Sequence, residues 1–397
     1  MYEGYSIANL PAGICEWLGC PAPAARPLAA EFSGAFAANY RHVIFILVDG
    51  LGWDSLQSFR ETDKPPAWEA LLRGGQLLPL TSVAPSTTSA ALTTLWTARQ
   101  PAEHGIIGYE MFLKEFGLIA NIILQSVSSF IGESGSLARA GFEPLTFLPV
   151  PTLGSHFLSN GIRAFALQPE PVNGSGLSQM LLKDVQTQPY RSLDELWALT
   201  EDIQTSYRQG KTYTYIYWGE LDTLSHQVGP HDRQVRQKWD DFARGLVAFV
   251  RGRQSRAKRD TLLLLSADHG QISTEIQADY DLRNHADLVS HLVMLPSGEG
   301  RLPFLFVKPG HVGKVAACLA RKWGDQFQVV PSEKVLASGL LGDCPPCAET
   351  VERLGQYLVF PRGNAYWWWV NKENRLHGRH GGLSREEMLV PFFALEI

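Results

Sequence analysis

The feature that most constrains the fold is a continuous apolar run, HVIFILV, which spans His42–Val48 and ends at Asp49-Gly50. A run without polar alternation is typical of a strand that is buried on both faces of a parallel sheet. Ligands of open parallel sheets bind beyond the carboxyl ends of the strands, which is where Asp49 lies. Asp49 is therefore a candidate site residue, although its position also suits an aspartate that only caps a turn.

A second predicted strand covers residues 212–218, where β-branched and aromatic side chains alternate. Asp222 and His226 follow just beyond its end and are four positions apart. One helical turn would bring both side chains onto one face, and this arrangement suits a shared metal ion. The alternative, that these are two unrelated loop residues, stays open at this point.

A third predicted strand covers the apolar residues 261–265, and Asp268 and His269 follow it. An acidic residue again ends a buried strand, and here a histidine stands next to it. An Asp-His pair at the carboxyl edge of a sheet is a more specific indication of a site than either residue alone.

The segment after Pro85 predicts a helix whose first turn carries hydroxyl groups. Ser86 or Thr87 can cap this helix through a side-chain oxygen, and apolar residues recur at helical spacing over 91–96. Thr87 and Thr88 then lie at a helix N-terminus, where unpaired N–H groups and the helix dipole favour an anion. A hydroxyl at that place can act as a nucleophile if a metal ion or a base assists it. Taken alone, the segment favours an ordinary Ser/Thr cap on a buried helix, and the other candidate residues are what favour the nucleophile.

The second half of the chain predicts a further αβ region. Helices are expected over 231–250 and 312–323, and strands over 303–307, 326–330 and 366–370. The tryptophan triplet of the last strand is expected in the core, with a substrate-facing ring among the three as the alternative. The chain has 397 residues, enough for one large domain.

Charge and cysteine content exclude some classes of function. The formal net charge is -5 and the sequence pI is about 6.1, so bulk electrostatics give no reason to expect nucleic-acid binding. Five cysteines, an odd number, favour a reducing compartment over a disulfide framework. The start of the chain lacks the pattern of a signal peptide, and no apolar run approaches the ~20 residues that span a bilayer. The expectation is a cytoplasmic protein without a transmembrane segment.

The candidate residues share the chemistry of divalent-metal ligands. A late segment adds His377 and His380, and with one of them the set holds seven oxygen and nitrogen groups. The seven are Asp49, Asp222, His226, Asp268 and His269, one hydroxyl from Thr87 or Thr88, and one of the two late histidines. This number divides into two metal sites that share one reacting oxygen, and two ions about 4 Å apart can bind both the nucleophile and the leaving oxygen of a phosphoryl group.

The sequence resembles the alkaline phosphatase superfamily, and within it the type I phosphodiesterase/nucleotide pyrophosphatase branch. The resemblance covers residues 42–54, 81–110, 212–230, 261–271 and 377–393. It implies an α/β fold, a three-layer αβα sandwich with a central, mostly parallel sheet.

The expected organisation is one catalytic domain over residues 1–397. Within it, residues 275–375 are expected to form a smaller inserted αβ cap subdomain that shapes access of the substrate.

The resemblance also implies roles for individual residues. One metal ion is expected on Asp49, Asp268 and His269 together with the nucleophile, and the other on Asp222, His226 and His380. The family's nucleophile stands three positions after the proline, which is Thr88 here, with Thr87 as the alternative one residue earlier. Tyr109 occupies the position at which the phosphodiesterase branch has an asparagine that helps to hold the phosphate.

The predicted function is a metal-dependent hydrolase of phosphodiester or pyrophosphate bonds, in which Thr88 forms a covalent phosphothreonine that is then hydrolysed. The cofactors are two divalent ions, with zinc expected first and manganese or iron as alternatives. The expected partner is a small-molecule phosphate ester, and the oligomeric state is left open. A phosphomonoesterase or phosphonate hydrolase of the same superfamily is the alternative, and a catalytically inactive metal-binding protein is the alternative of another class.

Overall fold

The computed structural model describes residues 2–36, 39–61, 67–128, 133–254 and 260–397. The strands are β1 (His42–Val48), β2 (Gln76–Thr81), β3 (Glu110–Leu113), β4 (Leu118–Asn121), β5 (Ser126–Val127), β6 (Ile162–Pro169), β7 (Gln186–Tyr190), β8 (Lys211–Trp218), β9 (Thr261–Ser266), β10 (Ile272–Ser273), β11 (Ser297–Glu299), β12 (Leu302–Leu305), β13 (Phe327–Pro331), β14 (Tyr357–Pro361), β15 (Gly378–Arg379) and β16 (Leu389–Glu396).

Helices separate most of these strands. They are α1 (Leu10–Leu18), α2 (Ala30–Ser33), α3 (Trp53–Arg60), α4 (Ala67–Gly74), α5 (Thr88–Thr97), α6 (Pro101–His104), α7 (Pro144–Phe147), α8 (Leu153–Ser159), α9 (Gly176–Leu181), α10 (Leu193–Ser206), α11 (Glu220–Val228), α12 (Arg233–Gln254), α13 (Ala286–Val289), α14 (Val312–Trp323), α15 (Ser332–Ala337), α16 (Ala348–Arg353) and α17 (Arg385–Met388). Among the residues described, no helix has both the length and the apolar character needed to cross a membrane.

The central sheet has the strand order β2-β16-β9-β1-β8-β6-β7. The neighbours from β9 to β7 pair in parallel, and β16 runs antiparallel to both β9 and β2. Every side chain of β1 is buried, as its unbroken apolar run predicts. The prediction of an α/β fold around a mostly parallel sheet is confirmed.

Helices cover both faces of this sheet, and strand β8 shows how. Successive side chains of a strand point to opposite faces. Tyr213 and Tyr215 contact Trp96 of α5, with ring centres 5.7 and 5.3 Å apart, respectively. Trp218 points the other way and stacks on Phe242 of α12, with ring centres 4.2 Å apart. The result is the expected three-layer αβα arrangement.

A second sheet has the order β13-β14-β12-β11-β3-β4-β5 and lies beside its own apolar cluster, which includes the tryptophan triplet. Strands β11 to β14 come from within the predicted cap, residues 275–375, whereas β3 to β5 come from 110–127. The sheet therefore joins two distant parts of the chain. The extent of a cap subdomain stays a prediction.

The tryptophan triplet departs from the sequence prediction. Residues 366–370 form no strand, and only an isolated bridge joins Trp368 to Asp281. The backbone N–H groups of Trp367 and Trp368 donate instead to the carbonyl oxygens of Gly300 and Tyr280, at 2.8 and 2.9 Å. The high β-propensity of these residues does not produce a strand here, because the rings are buried by packing in an irregular segment.

One buried ion pair connects the second sheet to the end of the central sheet. Arg301, in the turn after β11, donates from Nη2 to Glu387 Oε2 at 2.7 Å and from Nε to Oε1 at 3.1 Å. The two side chains are 2% and 0% exposed. Because Glu387 lies in α17, directly before β16, the pair fixes the two sheets relative to one another.

We predict that Arg301→Met lowers the free energy of unfolding by about 3–5 kcal/mol, since it leaves the Glu387 carboxylate buried and uncompensated. Adding Glu387→Gln should restore part of this loss. The measurement is urea-induced unfolding, with Arg321→Met as the control because its pair with Asp287 is exposed. A loss no greater than that of the control would contradict the prediction.

Candidate metal and catalytic centre

Three neighbouring strands deliver the predicted ligands to one edge of the central sheet. Asp49 follows β1, and Asp268 and His269 follow β9. Asp222 and His226 lie in α11, which begins directly after β8. Because β9, β1 and β8 are adjacent and parallel, their carboxyl ends meet at the same edge. The structure thus brings together residues that are up to 220 positions apart in the chain.

Two groups of side chains have ligand atoms that all lie within 4.8 Å of one another. The groups are Asp49, Asp268 and His269, and Asp222, His269 and His380. His269 belongs to both, so the two groups form one continuous cluster. His226, which the resemblance places with Asp222 and His380, lies next to the second group.

Distances in the first group centre on one nitrogen. His269 Nε2 lies 3.4 Å from Asp49 Oδ1 and 3.4 Å from Asp268 Oδ2. The Thr88 hydroxyl oxygen lies 3.1 Å from the same nitrogen. The candidate nucleophile is therefore in contact with the candidate ligands.

The second group centres on Asp222. Its Oδ2 lies 3.4 Å from His226 Nε2, and its Oδ1 lies 3.8 Å from His380 Nε2. The rings of His380 and His269 stack with centres 3.7 Å apart. His377 is exposed and lies outside both groups.

All three histidines present the same nitrogen to the cluster because the other one is bonded to a backbone carbonyl. The Nδ1 atoms of His226, His269 and His380 lie 2.8, 3.1 and 3.1 Å from the carbonyl oxygens of Gly378, Gly270 and Ser86, respectively. A carbonyl oxygen only accepts hydrogen bonds, so each Nδ1 carries a proton and each Nε2 is the ring atom that faces the cluster. A bond of this kind orients most metal-binding histidines.

The carboxylates carry unsatisfied atoms that a cation would satisfy. Asp49 Oδ1 and Asp268 Oδ2 are buried and have no hydrogen-bond partner among the described residues. Burial, reinforced by the charges of Asp268 and Asp222, holds the pKa of Asp49 well above its ordinary value. Burial and the nearby His269 and His226 hold the pKa of His380 well below the ordinary value of a histidine. Clustered carboxylate and imidazole groups are a donor set that fits divalent metal ions.

Two further side chains hold the carboxylates, and sequence reasoning missed both. The Tyr217 hydroxyl donates to Asp49 Oδ2, and the Gln271 amide donates to Asp222 Oδ1. Gln271 directly follows Asp268-His269-Gly270, and this proximity to two candidate ligands could have identified it as a site residue. Tyr217 gave no such signal, because its partner lies on the neighbouring strand.

Gly50 lets the ends of β1 and β8 approach each other. Its φ is +76°, a conformation that residues with a side chain rarely adopt. A Cβ at this position would lie 3.0 Å from the Asp222 Cα. Glycine at this position therefore allows Asp49 and Asp222 to belong to one cluster.

The predicted helix is α5, and it begins at Thr88 with Thr87 as its N-cap residue. The prediction of a side-chain cap is wrong: the Thr87 hydroxyl makes no capping bond, and the Ser86 hydroxyl donates to the Gly382 carbonyl instead. The two threonines differ in their surroundings. Of their two hydroxyl groups, only that of Thr88 lies within hydrogen-bond distance of His269.

A cavity of about 550 Å³ opens onto the cluster, and both Thr88 and Tyr109 line it. Tyr109 is 36% exposed, and its backbone N–H donates to Glu299 Oε1 at 2.9 Å. Several lining residues were not singled out from the sequence, among them Glu110, Asn121, Glu299 and Arg379. The tryptophans at 367–369 also line the cavity, so the substrate-facing alternative for the triplet agrees with the structure.

Comparison with protein families gives a match over most of the chain. The model described as type I phosphodiesterase / nucleotide pyrophosphatase matches residues 43–383. No curated protein sequence matches the chain closely enough to count as a relative.

Solved structures show the same fold at low sequence identity. Murine ectonucleotide pyrophosphatase / phosphodiesterase 5 superposes with a TM-score of 0.66 at 17% identity, over 89% of this chain and 87% of that one. An inactive variant of that protein, with a threonine replaced by alanine, was solved in complex with AMP. Phosphonoacetate hydrolase from Sinorhizobium meliloti 1021, in complex with phosphonoformate, gives a TM-score of 0.64 at 18% identity, over 89% and 90%.

We predict that Asp49→Asn abolishes most of the stabilisation by zinc without lowering the stability of the metal-free protein. Asparagine resembles the protonated carboxyl that the raised pKa favours, but it is a poor metal ligand. A ligand at 100 times its Kd stabilises a protein by about 2.7 kcal/mol. The measurement is thermal unfolding with chelator and with zinc.

The matched control is Asp54→Asn, which removes a carboxylate that pairs with Arg385 outside the cluster. This variant should keep the full response to zinc. An Asp49→Asn variant that zinc stabilises as strongly as the parent would contradict the assignment of the first group.

Proposed function

The chain belongs to the type I phosphodiesterase / nucleotide pyrophosphatase family, and we propose that it hydrolyses phosphodiester or pyrophosphate bonds with Thr88 as the nucleophile. The observation that carries this proposal is the contact between the Thr88 hydroxyl and His269 Nε2 at 3.1 Å, with Thr88 lining the cavity. It supports a nucleophile that lies inside the ligand set. The substrate is a small-molecule phosphate ester.

Two divalent metal ions are the proposed cofactors. One would be held by Asp49, Asp268 and His269 with Thr88, and the other by Asp222, His226 and His380. When bound, such ions lower the pKa of a coordinated hydroxyl and stabilise charge on phosphoryl and leaving oxygens. Zinc fits the mixture of imidazole and carboxylate donors, and manganese or iron would also be accommodated.

The residues around Thr88 would orient and stabilise the phosphoryl group. In-line attack forms the bond between Thr88 Oγ1 and phosphorus and breaks the bond to the leaving oxygen. The first N–H groups of α5 and its dipole favour the negative charge that develops on the phosphoryl oxygens. Water then hydrolyses the phosphothreonine and regenerates the free hydroxyl.

Tyr109 is the proposed substrate-binding residue at the cavity rim. Its phenol can donate one hydrogen bond to a phosphoryl oxygen, whereas the amide of the family's asparagine offers two donors. This difference is the reason to keep a phosphomonoesterase or phosphonate hydrolase as the second candidate. Initial rates on bis(4-nitrophenyl) phosphate and 4-nitrophenyl phosphate, measured side by side, separate the two.

A reducing, cytoplasmic location is part of the proposal. All five cysteines are free thiols in the structure, including the buried Cys15 and Cys318. Such thiols are typical of proteins that remain in a reducing compartment.

We predict that Thr88→Ala lowers kcat on bis(4-nitrophenyl) phosphate by on the order of 10³-fold or more while zinc content and fold are retained. Thr88→Ser, which keeps a hydroxyl, should retain measurable turnover. The measurement combines initial rates, metal analysis and circular dichroism.

Thr87→Ala is the matched control, since it removes the neighbouring hydroxyl at the same helix terminus. Full activity of Thr88→Ala with loss of activity in Thr87→Ala would transfer the role to Thr87. No turnover of any phosphate ester by the metal-loaded parent would favour the inactive metal-binding protein.

A further inference from the structure

Arg379 places a positive charge inside the cavity. In the sequence it directly precedes His380, a candidate metal ligand. It ends β15 and is only 5% exposed. The antiparallel pairing of β15 with β10 fixes its backbone, since Arg379 is opposite Ile272. Its side chain lines the same cavity as Thr88. A buried cation at this position needs a compensating partner.

The surroundings of the Arg379 guanidinium are aromatic and neutral. Its Cζ lies 3.8 Å from the centre of the Tyr366 ring and 5.3 Å from that of Trp368. Nη2 donates to the Asn374 side-chain oxygen at 2.5 Å, and Nε has no hydrogen-bond partner among the described residues. No carboxylate of the described residues forms an ion pair with the Arg379 guanidinium. An arginine that serves only as structure is normally paired when it is buried this deeply.

The two glutamates of the cavity do not supply the missing charge. Glu110 Oε2 accepts from Trp369 Nε1 at 2.8 Å, and Glu299 Oε1 accepts from the Tyr109 N–H at 2.9 Å. Burial raises the pKa of both carboxyls, that of Glu299 to about 8. Near neutral pH, Glu299 therefore carries less negative charge than an ordinary glutamate.

A second cation lies beside the same aromatic ring. Lys372 is exposed at the cavity, and its Nζ lies 6.0 Å from the centre of the Trp368 ring. Arg301, the other arginine that lines the cavity, is different because Glu387 already neutralises it. The unsatisfied positive charge is thus concentrated around Trp368.

We propose that Arg379, with Lys372 and the Trp368 ring, forms a subsite for a second anionic group of the substrate, a carboxylate or a phosphate beyond the phosphoryl group that reacts at Thr88. This inference rests on the proposed function, which it narrows to substrates that carry two anionic groups. Guanidinium Nε and Nη atoms form the planar fork that binds both kinds of anion in a bidentate manner. The subsite would select substrates by charge, whereas metal ions at the cluster would bind any phosphoryl group.

The test compares the binding of three phosphonates to the zinc-loaded protein by calorimetry. Ethylphosphonate has one anionic group, 3-phosphonopropionate adds a carboxylate, and ethane-1,2-diphosphonate adds a second phosphonate. The parent should bind one or both of the last two more tightly than ethylphosphonate, by on the order of 10- to 100-fold, because of the charged hydrogen bonds. The ligand that the parent prefers identifies the second anionic group of the substrate as a carboxylate or as a phosphate.

Arg379→Met keeps the length of the side chain and removes its charge, so it should abolish this preference while leaving the affinity for ethylphosphonate unchanged. Arg379→Lys, which retains a charge but not the fork, should keep an intermediate preference and covers the case in which the methionine variant fails to fold. Arg362→Met makes the same charge change at an exposed position outside the cavity and should behave like the parent.

The outcomes separate the subsite from the proposed function. Equal weakening of all three ligands by Arg379→Met, or an unchanged preference, would overturn the subsite and leave the hydrolase proposal intact. A preference that depends on Arg379 in a protein without turnover of bis(4-nitrophenyl) phosphate would support anion binding and contradict the proposed reaction. Absence of binding by all three phosphonates would overturn both.

Discussion

Electrostatic repulsion among three carboxylates, which converge at one edge of the central sheet, determines what this site can bind. Parallel pairing of β9, β1 and β8 brings Asp49, Asp222 and Asp268 together, and Gly50 allows the close approach. Burial makes this arrangement unfavourable unless protons or cations compensate the charge. A divalent metal ion would compensate this charge, so the same arrangement can serve as a metal-binding site.

Neutral groups hold this charged cluster in place. Backbone carbonyl oxygens fix the three histidines through Nδ1, and Tyr217 and Gln271 hold two of the aspartates. Around the cavity the glutamates are bonded internally, while Arg379 stays without an anionic partner among the described residues. We therefore propose that charge is compensated in two places, by metal ions at the cluster and by a substrate anion at Arg379.

Elements with one dominant local pattern were predictable from the sequence. The strand at 42–48 and the helix at 312–323 agree residue for residue, and the candidate ligands meet because sheet topology requires it. The strand expected at 366–370 is wrong because the tryptophan rings pack in an irregular segment. Tyr217 and Arg379 were missed because their partners come from other elements, and no local pattern encodes such contacts.

We propose that the convergent carboxylates and histidines form a two-metal hydrolytic centre. The most direct test is metal analysis of the purified protein after zinc reconstitution and removal of excess zinc. We expect about two zinc ions per chain, falling to about one in Asp222→Ala or His380→Ala. A reconstituted protein that retains no metal would contradict it, because the cluster would then have to be explained without the cofactor on which the proposed reaction depends.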